Sequence, residues 1–281
     1  MTDATADDHR SPRLQLAIET TGKCGSIAIL RDDVIIRAIN LPETTRTAAS
    51  LAVHLDDILK QHRDGSQPIE LVSVADGPGS FTGLRIGVTT AKSLCYALKI
   101  PLIAVDSLAA VAASAFHQNP SAQSVCVGLD AYRQQVFAGC FRRKALLDSP
   151  ERLSATWTPH PSEVQVLSAS QWEAYLSDIG KPKPPTPASD PAGPNWTTNP
   201  SFSSQPNGLA AASTAPEIWF AAGDDQPFQQ SKLPMLSRQC DAIGVGLLAW
   251  RAFRLGMTTD PIALVPRYLK PSAAEEQAKH S

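Results

Sequence analysis

One segment restricts the fold more than any other: Ala75-Asp-Gly-Pro-Gly-Ser-Phe-Thr-Gly-Leu-Arg-Ile-Gly-Val88, a glycine-dense turn between a strand-type run and a long apolar helix. Leu71-Val-Ser-Val-Ala75 carries the apolar, β-branched residues of a buried strand. Gly77, Pro78 and Gly79 supply a sharp reversal, because glycine enters the positive-φ region at little steric cost. Ser80 or Thr82 can cap the free N–H groups of the helix that follows, and Leu84 to Leu98 contains no proline to interrupt it.

A strand, a glycine turn and a helix N-terminus in succession form a natural phosphate cradle. The established phosphate patterns nevertheless fail here. Gly83 is followed by Leu84 and Arg85, so the lysine and hydroxyl of a Walker loop are absent. Three residues separate Gly79 from Gly83, and Thr82 stands where the third glycine of a dinucleotide fingerprint belongs. Ser80 is flanked at two residues by Pro78 and Thr82, which excludes a nucleophile elbow. The residues alone leave two readings, a structural tight turn and an anion site.

Around this turn the pattern is α/β. Leu14–Ile18, Ser26–Leu30 and Val34–Ala38 read as an antiparallel meander. Helices are predicted over about 45–62, 82–98 and 107–116, with strands at 71–75 and 102–105. A further strand at Ser124–Leu129, a hairpin around Ala131–Gln134 and a strand to Phe141 follow; Glu217–Ala221 reads as a strand and about 237–256 as a helix. Residues 1–13 are polar and are expected to be a disordered tail without a secretory signal. Between 181 and 215 proline, serine and asparagine replace apolar residues, which predicts a flexible insertion. Apolar runs are broken before the roughly 18 residues that a membrane span needs, so a cytoplasmic protein is expected. The five cysteines are widely spaced in mostly apolar segments and read as reduced thiols. A net charge of −2 gives no global nucleic-acid footprint.

Catalytic constellations are scarce. None of the six histidines is paired at a helical metal-binding spacing, so no metal site and no catalytic residue is assigned. Asp76 and Asp130 lie at strand ends without a recognisable partner in the sequence. Gly83, Gly87, Ala91 and Cys95 recur at four-residue intervals and form one small-residue face of the second predicted helix, while Leu51, Leu55, Ile58 and Leu59 form the apolar stripe of the first. Each stripe suits either ordinary core packing or close approach of another helix.

Three segments together resemble the TsaB (YeaZ) family of tRNA threonylcarbamoyladenosine biosynthesis. They are Leu16-Ala-Ile-Glu-Thr-Thr-Gly-Lys-Cys-Gly-Ser-Ile-Ala-Ile-Leu30, the signature Gly77-Pro-Gly-Ser-Phe-Thr-Gly-Leu-Arg-Ile-Gly87, and Leu129-Asp-Ala-Tyr-Arg-Gln-Gln-Val-Phe137; Pro266-Arg-Tyr-Leu269 resembles the family's tail. The resemblance implies a two-lobed, actin-like α/β fold of ribonuclease H type, the ASKHA fold, with a mixed first sheet carrying helices on both sides. The lobes are expected at 14–117 and 118–281.

It also implies a function. The family member is a non-catalytic subunit that binds and activates TsaD, which transfers threonylcarbamoyl to the adenosine 3′ of the anticodon in tRNAs reading codons that begin with A; TsaE, an ATPase, completes the set. TsaD has a metal-binding histidine pair where this chain has Ser107 and Val111. The phosphate hairpin expected of the fold is represented by Glu19, Thr20, Thr21 and Gly22, with Glu19 one methylene longer than the usual aspartate, and Ala221-Ala-Gly-Asp224 is a degenerate second loop. Glu19 reads either as a strand-end cap or as a ligand remnant. No cofactor is expected on the chain alone, with ATP and magnesium entering through partners; tRNA contact is expected to be indirect and membrane contact absent. Gly77, Gly79, Ser80, Phe81, Thr82, Gly83 and Arg85 form the motif turn. Leu51, Leu55, Gly83, Gly87, Ala91 and Cys95 are the expected interface with TsaD or with a second copy. An independent actin-like ATPase or kinase, and a metallopeptidase, are the competing readings.

Overall fold

The computed structural model describes residues 14–43, 47–62, 67–148, 158–161, 164–179, 218–237 and 240–270. The expected tail at 1–13 and the insertion at 181–215 lie outside the described residues. Two five-stranded sheets carry the chain. In the first, β1 (Leu14–Glu19), β2 (Ser26–Arg31) and β3 (Val34–Asn40) form the antiparallel meander; β4 (Ile69–Gly77) and β5 (Leu102–Asp106) add to β1 in parallel, in the order β3-β2-β1-β4-β5.

The second sheet repeats this plan. β6 (Ser124–Asp130), β7 (Gln135–Arg142) and β8 (Gln165–Ser168) are its meander, and β9 (Trp219–Gly223) and β10 (Met235–Ser237) extend it in parallel, in the order β10-β9-β6-β7-β8. Each step of the first sheet therefore has a counterpart in the second, a duplication with no clear trace in the sequence. One counterpart is much reduced. Where the first sheet has the long helix α2 (Phe81–Leu98) between its two parallel strands, the second has only a 3-10 turn at Gln226–Phe228.

Both faces of β1, β2, β4 and β5 are buried, as a parallel core requires, while the edge strand β3 is largely exposed. Leu16, Ile18, Ile27, Val72, Val74 and Ala104 face α2 and α1 (Thr47–Gln61), meeting Leu51, Leu55, Ile58, Val88 and Ala91. The opposite face, with Ala17, Leu30, Leu71 and Ile103, meets Val245, Leu248 and Ala249 of α6 (Ala242–Arg254). Thus α6, from the chain's second half, lies across the first sheet, where Gln15 Nε2 donates to Gly246 O at 3.1 Å. α3 (Ser107–Gln118) passes between the sheets. Every residue from Ser107 to Phe116 is buried, which explains the run of alanines: small side chains let α3 approach α6 and the second sheet together. The short helix α4 (Arg143–Leu147) follows β7, and α5 (Ala169–Asp178), opened by a capping box at Ser168 and Gln171, covers the other face of the second sheet through Trp172 and Leu176. No helix among the described residues is long and apolar enough to cross a membrane.

Candidate functional site

The glycine-rich turn is held from three directions, beginning with its own helix. Ser80 caps α2, its Oγ accepting from Gly83 N at 3.3 Å. From the turn after β1, Thr21 O accepts Ser80 N at 2.9 Å and Thr20 Oγ1 donates to Gly83 O at 2.8 Å. The backbone of the β1–β2 hairpin thus lies directly on α2. A β-carbon on Gly83 would overlap the Thr20 carbonyl oxygen, and one on Gly87 would overlap Thr20 Oγ1.

This packing corrects the expected interface. Gly83, Gly87, Ala91 and Cys95 face the lobe's own sheet rather than a second helix, and Leu51 and Leu55 are buried beside them. Ile86 and Leu94, the larger residues on a neighbouring face of α2, are only half-buried at the edge of that core. The small-residue spacing reflects how closely β1 and β4 approach α2. Exposed on the two helices are instead Ala48, Ala49, Ala52, Val53 and Asp56 of α1 and Phe81, Thr82, Arg85, Thr89 and Tyr96 of α2.

The carboxyl-terminal segment supplies the second hold. Arg267 N donates to Asp76 O at 2.7 Å, its guanidinium donates to Gly77 O at 3.1 Å, and the same group pairs with the fully buried Asp106 carboxylate. Asp106 also caps α3 by accepting Ala109 N at 2.8 Å. Gly77, at φ 128°, is required twice over: that region disfavours side chains, and Arg267 O occupies the space of a β-carbon. Tyr268 lies against Phe81 with ring centroids 4.8 Å apart, and the Arg85 guanidinium covers Phe81 at 4.0 Å. Lys270 Nζ then reaches Ala131 O of the second lobe at 3.1 Å. Losing the Arg267 charge leaves Asp106 buried beside an apolar replacement. Arg267→Met is expected to cost about 2 kcal/mol, below the usual cost of breaking a buried pair because the Arg267 side chain keeps 28% exposure. Urea unfolding checks this, and the double variant with Asp106→Asn is expected to lose less than the sum of the two single changes.

The third hold comes from 158–161. His160 Nε2 lies 3.0 Å from both Asp76 carboxylate oxygens, and Pro159 O accepts Asp106 N at 3.0 Å. Sequence reading had found no partner for Asp76. A separation of 84 residues leaves no local signal, and only the fold brings the two together.

Glu19 ends β1 inside the molecule. Its Oε1 accepts Thr21 N, Thr21 Oγ1 at 2.6 Å and Gly22 N at 3.2 Å. The hairpin N–H groups that a phosphate would use are therefore engaged by the carboxylate of the same hairpin. Burial raises Glu19 from 4.5 to about 7 against the lowering effect of these bonds, with Asp241 at the start of α6 adding a repulsive charge. Across the cleft, Asp224 Oδ2 accepts Asp130 N at 2.8 Å, and burial raises the Asp224 carboxyl as well. Among the described residues no group of three or more His, Cys, Asp or Glu side chains stands close enough to hold a metal ion.

A cavity of about 340 Å³ opens where the lobes meet, lined by Ser80, Phe81, Asp130, Tyr132, Arg133 and Tyr268 among others. Its far wall is the 131–134 hairpin, in which Tyr132, Arg133 and Gln134 all have positive φ near 55–60°. Asp130 Oδ1 steadies that turn by accepting Tyr132 N at 2.8 Å.

Comparison with known proteins agrees with this architecture. Residues 42–165 match the family model described as TsaD: tRNA N6-adenosine threonylcarbamoyltransferase. The tRNA threonylcarbamoyladenosine biosynthesis protein TsaB of Bacillus subtilis is 38% identical over 131 residues, covering 46% of this chain and 55% of that protein. The TsaB of Haemophilus influenzae is 31% identical over 157 residues, covering 56% of this chain and 64% of its own length. The match thus spans a little over half the length of these curated relatives. The solved structure of YeaZ from Pseudomonas aeruginosa superposes with a TM-score of 0.60 at 21% identity, covering 92% of this chain and all of that one, which shows the shared fold. The chain is thus similar in sequence to curated TsaB proteins over about half its length and shares the fold of YeaZ through both sheets.

Proposed function

We propose that this chain acts in the biosynthesis of threonylcarbamoyladenosine in tRNA as a non-catalytic subunit that binds and activates a TsaD-type transferase. The observation carrying the reading is that the groups an actin-like phosphotransfer site would use are spent on internal contacts. Glu19 occupies the donors of its own hairpin, Asp224 holds the backbone of Asp130, and the counterpart of α2 after the second loop is a single 3-10 turn. The Glu19 bonds stay within the first-lobe hairpin and the Asp224 bond stays within the second lobe. On this reading ATP and magnesium enter through TsaD- and TsaE-type partners, and tRNA is held mainly by them.

The partner surface in this proposal is the outer side of α1 and α2. Its residues are the complement of the buried stripes: Val53 is 62% exposed and Tyr96 86% exposed. Exposed apolar groups of this size on adjoining helices suit helix-to-helix docking, with a TsaD-type protein or with a second copy. Val53→Glu and Tyr96→Glu are each expected to weaken association with the TsaD-type partner about 30-fold while leaving the melting curve unchanged. Calorimetric titration checks the affinity, and unchanged binding by both variants removes these helices from the interface. The function itself is tested by reconstituting tRNA modification from TsaD- and TsaE-type proteins with and without this chain. Undiminished modification in its absence overturns the reading, and ATP turnover by the isolated chain favours an independent ATPase.

A further inference from the structure

The β6–β7 ladder places Cys126 directly opposite Cys140, and their sulfurs lie 2.7 Å apart. That separation is well inside the sum of two sulfur radii and roughly 0.7 Å longer than a disulfide bond. Directly paired residues of an antiparallel ladder have Cα atoms about 4.5–5.5 Å apart, within the span that a disulfide bridges. Small adjustments of χ1 therefore close the bond without moving either strand.

The surroundings single out this pair. Both side chains are on the α5 side of the second sheet, Cys126 fully buried and Cys140 half-buried, with the Tyr175 hydroxyl hydrogen-bonded to Cys140. Trp172 stacks on Tyr175 at 5.7 Å and covers the same apolar pocket. The other three cysteines contact oxygen instead, Cys24 Sγ lying 2.8 Å from Glu43 Oε1, Cys95 Sγ 3.6 Å from Pro101 O and Cys240 Sγ 3.5 Å from Ser107 O. Burial and the neighbouring Glu43 push the Cys24 thiol up to about 11, burial alone pushes Cys95 up to about 12, and Cys240 is raised inside the molecule. Access to Cys140 from solvent and burial of Cys126 behind it give the two sulfurs different parts in an exchange.

We infer that Cys126 and Cys140 are a reversible dithiol–disulfide pair, an oxidation site that reacts with low-molecular-weight disulfides and ties β6 to β7 across the sheet. The thiolate of Cys140 attacks one sulfur of oxidised glutathione and expels one glutathione thiolate, forming a mixed disulfide. Cys126 then loses its proton and attacks Cys140 Sγ, and the second glutathione leaves. Two electrons and two protons pass from the protein to the reagent, and one S–S bond is exchanged for another. The bond closes a short loop that includes the 131–134 hairpin at the mouth of the cleft.

The test is a thiol map of the full-length protein after incubation with excess oxidised glutathione, acid quench, unfolding and alkylation with iodoacetamide. The expected product joins the peptides of Cys126 and Cys140 with loss of two hydrogens, leaves Cys24, Cys95 and Cys240 alkylated, and reverts with dithiothreitol. Cys126→Ser is expected to trap glutathione on Cys140, and Cys140→Ser to leave Cys126 unmodified. Recovery of Cys126 and Cys140 as separate alkylated or glutathionylated residues in the wild-type protein overturns the inference, as does linkage of either to another cysteine. The wild-type map decides even where a serine variant fails to fold.

Discussion

Replacing Gly83 with alanine is expected to destabilise the protein by about 4 kcal/mol, well beyond an ordinary glycine-to-alanine change in a helix, which favours the folded state. The added carbon has nowhere to go. It overlaps the Thr20 carbonyl oxygen, a backbone atom directly after the end of β1, and relief requires α2 to lift from the sheet it packs on. Lifting α2 breaks the Thr20 Oγ1 to Gly83 O bond of 2.8 Å and opens the core around Val88 and Ala91. Gly256→Ala provides the contrast. No atom lies within 4 Å of its added carbon, so only its φ of 74° counts, and the expected cost is about 1 kcal/mol. Urea unfolding followed by circular dichroism measures both. A Gly83→Ala midpoint indistinguishable from wild type contradicts the close approach of β1 and α2.

Glu19→Gln should remove a pH dependence that the wild type carries. With the folded carboxyl raised to about 7 from an ordinary 4.5, the native state holds an extra proton between those values. Stability from this group is therefore complete below about 4.5 and lost as pH climbs through about 7. The difference corresponds to roughly 3 kcal/mol. Glutamine keeps the shape and accepts the same N–H groups without bearing a buried charge, so the variant is expected to match wild type near pH 4 and exceed it by about that amount at pH 8. Unfolding midpoints measured across this range decide it. Parallel curves for the two proteins exclude Glu19 as the titrating group. A carboxyl kept for nucleotide chemistry would also show an ATP-dependent change in this profile, which gives the same variant a bearing on the ATPase alternative.

Local rules went far in the first lobe. The meander, the strand before the glycine turn, the Ser80 cap and the helix to Leu98 were legible because each rests on neighbours in the chain: β-branched alternation, a hydroxyl before a helix, and no proline within it. The same rules were ambiguous about direction. Gly83, Gly87, Ala91 and Cys95 were correctly seen as one small face, but a face small enough to meet a partner helix is also small enough to meet the backbone of β1. Only the position of Thr20 distinguishes the two. The duplication of the sheets was expected from the resemblance but left no repeat legible in the sequence, because the second copy retains its strand order while shrinking one helix to Gln226–Phe228. Glu19 illustrates another limit: its residue type at a strand end admitted a cap or a ligand, and its environment depends on α6 arriving from more than 200 residues later.

By itself the sequence determined the α/β class, the first meander, the glycine-rich junction and the resemblance to TsaB proteins, since these follow from short-range periodicity, turn chemistry and motif spacing. Tertiary structure alone decided that α6 covers the first sheet, that Arg267 neutralises Asp106, that His160 meets Asp76 and that Cys126 faces Cys140. Each of these depends on strand register and chain closure over long separations, and a side chain's own neighbours in sequence carry no record of what packs against it after the chain has folded back.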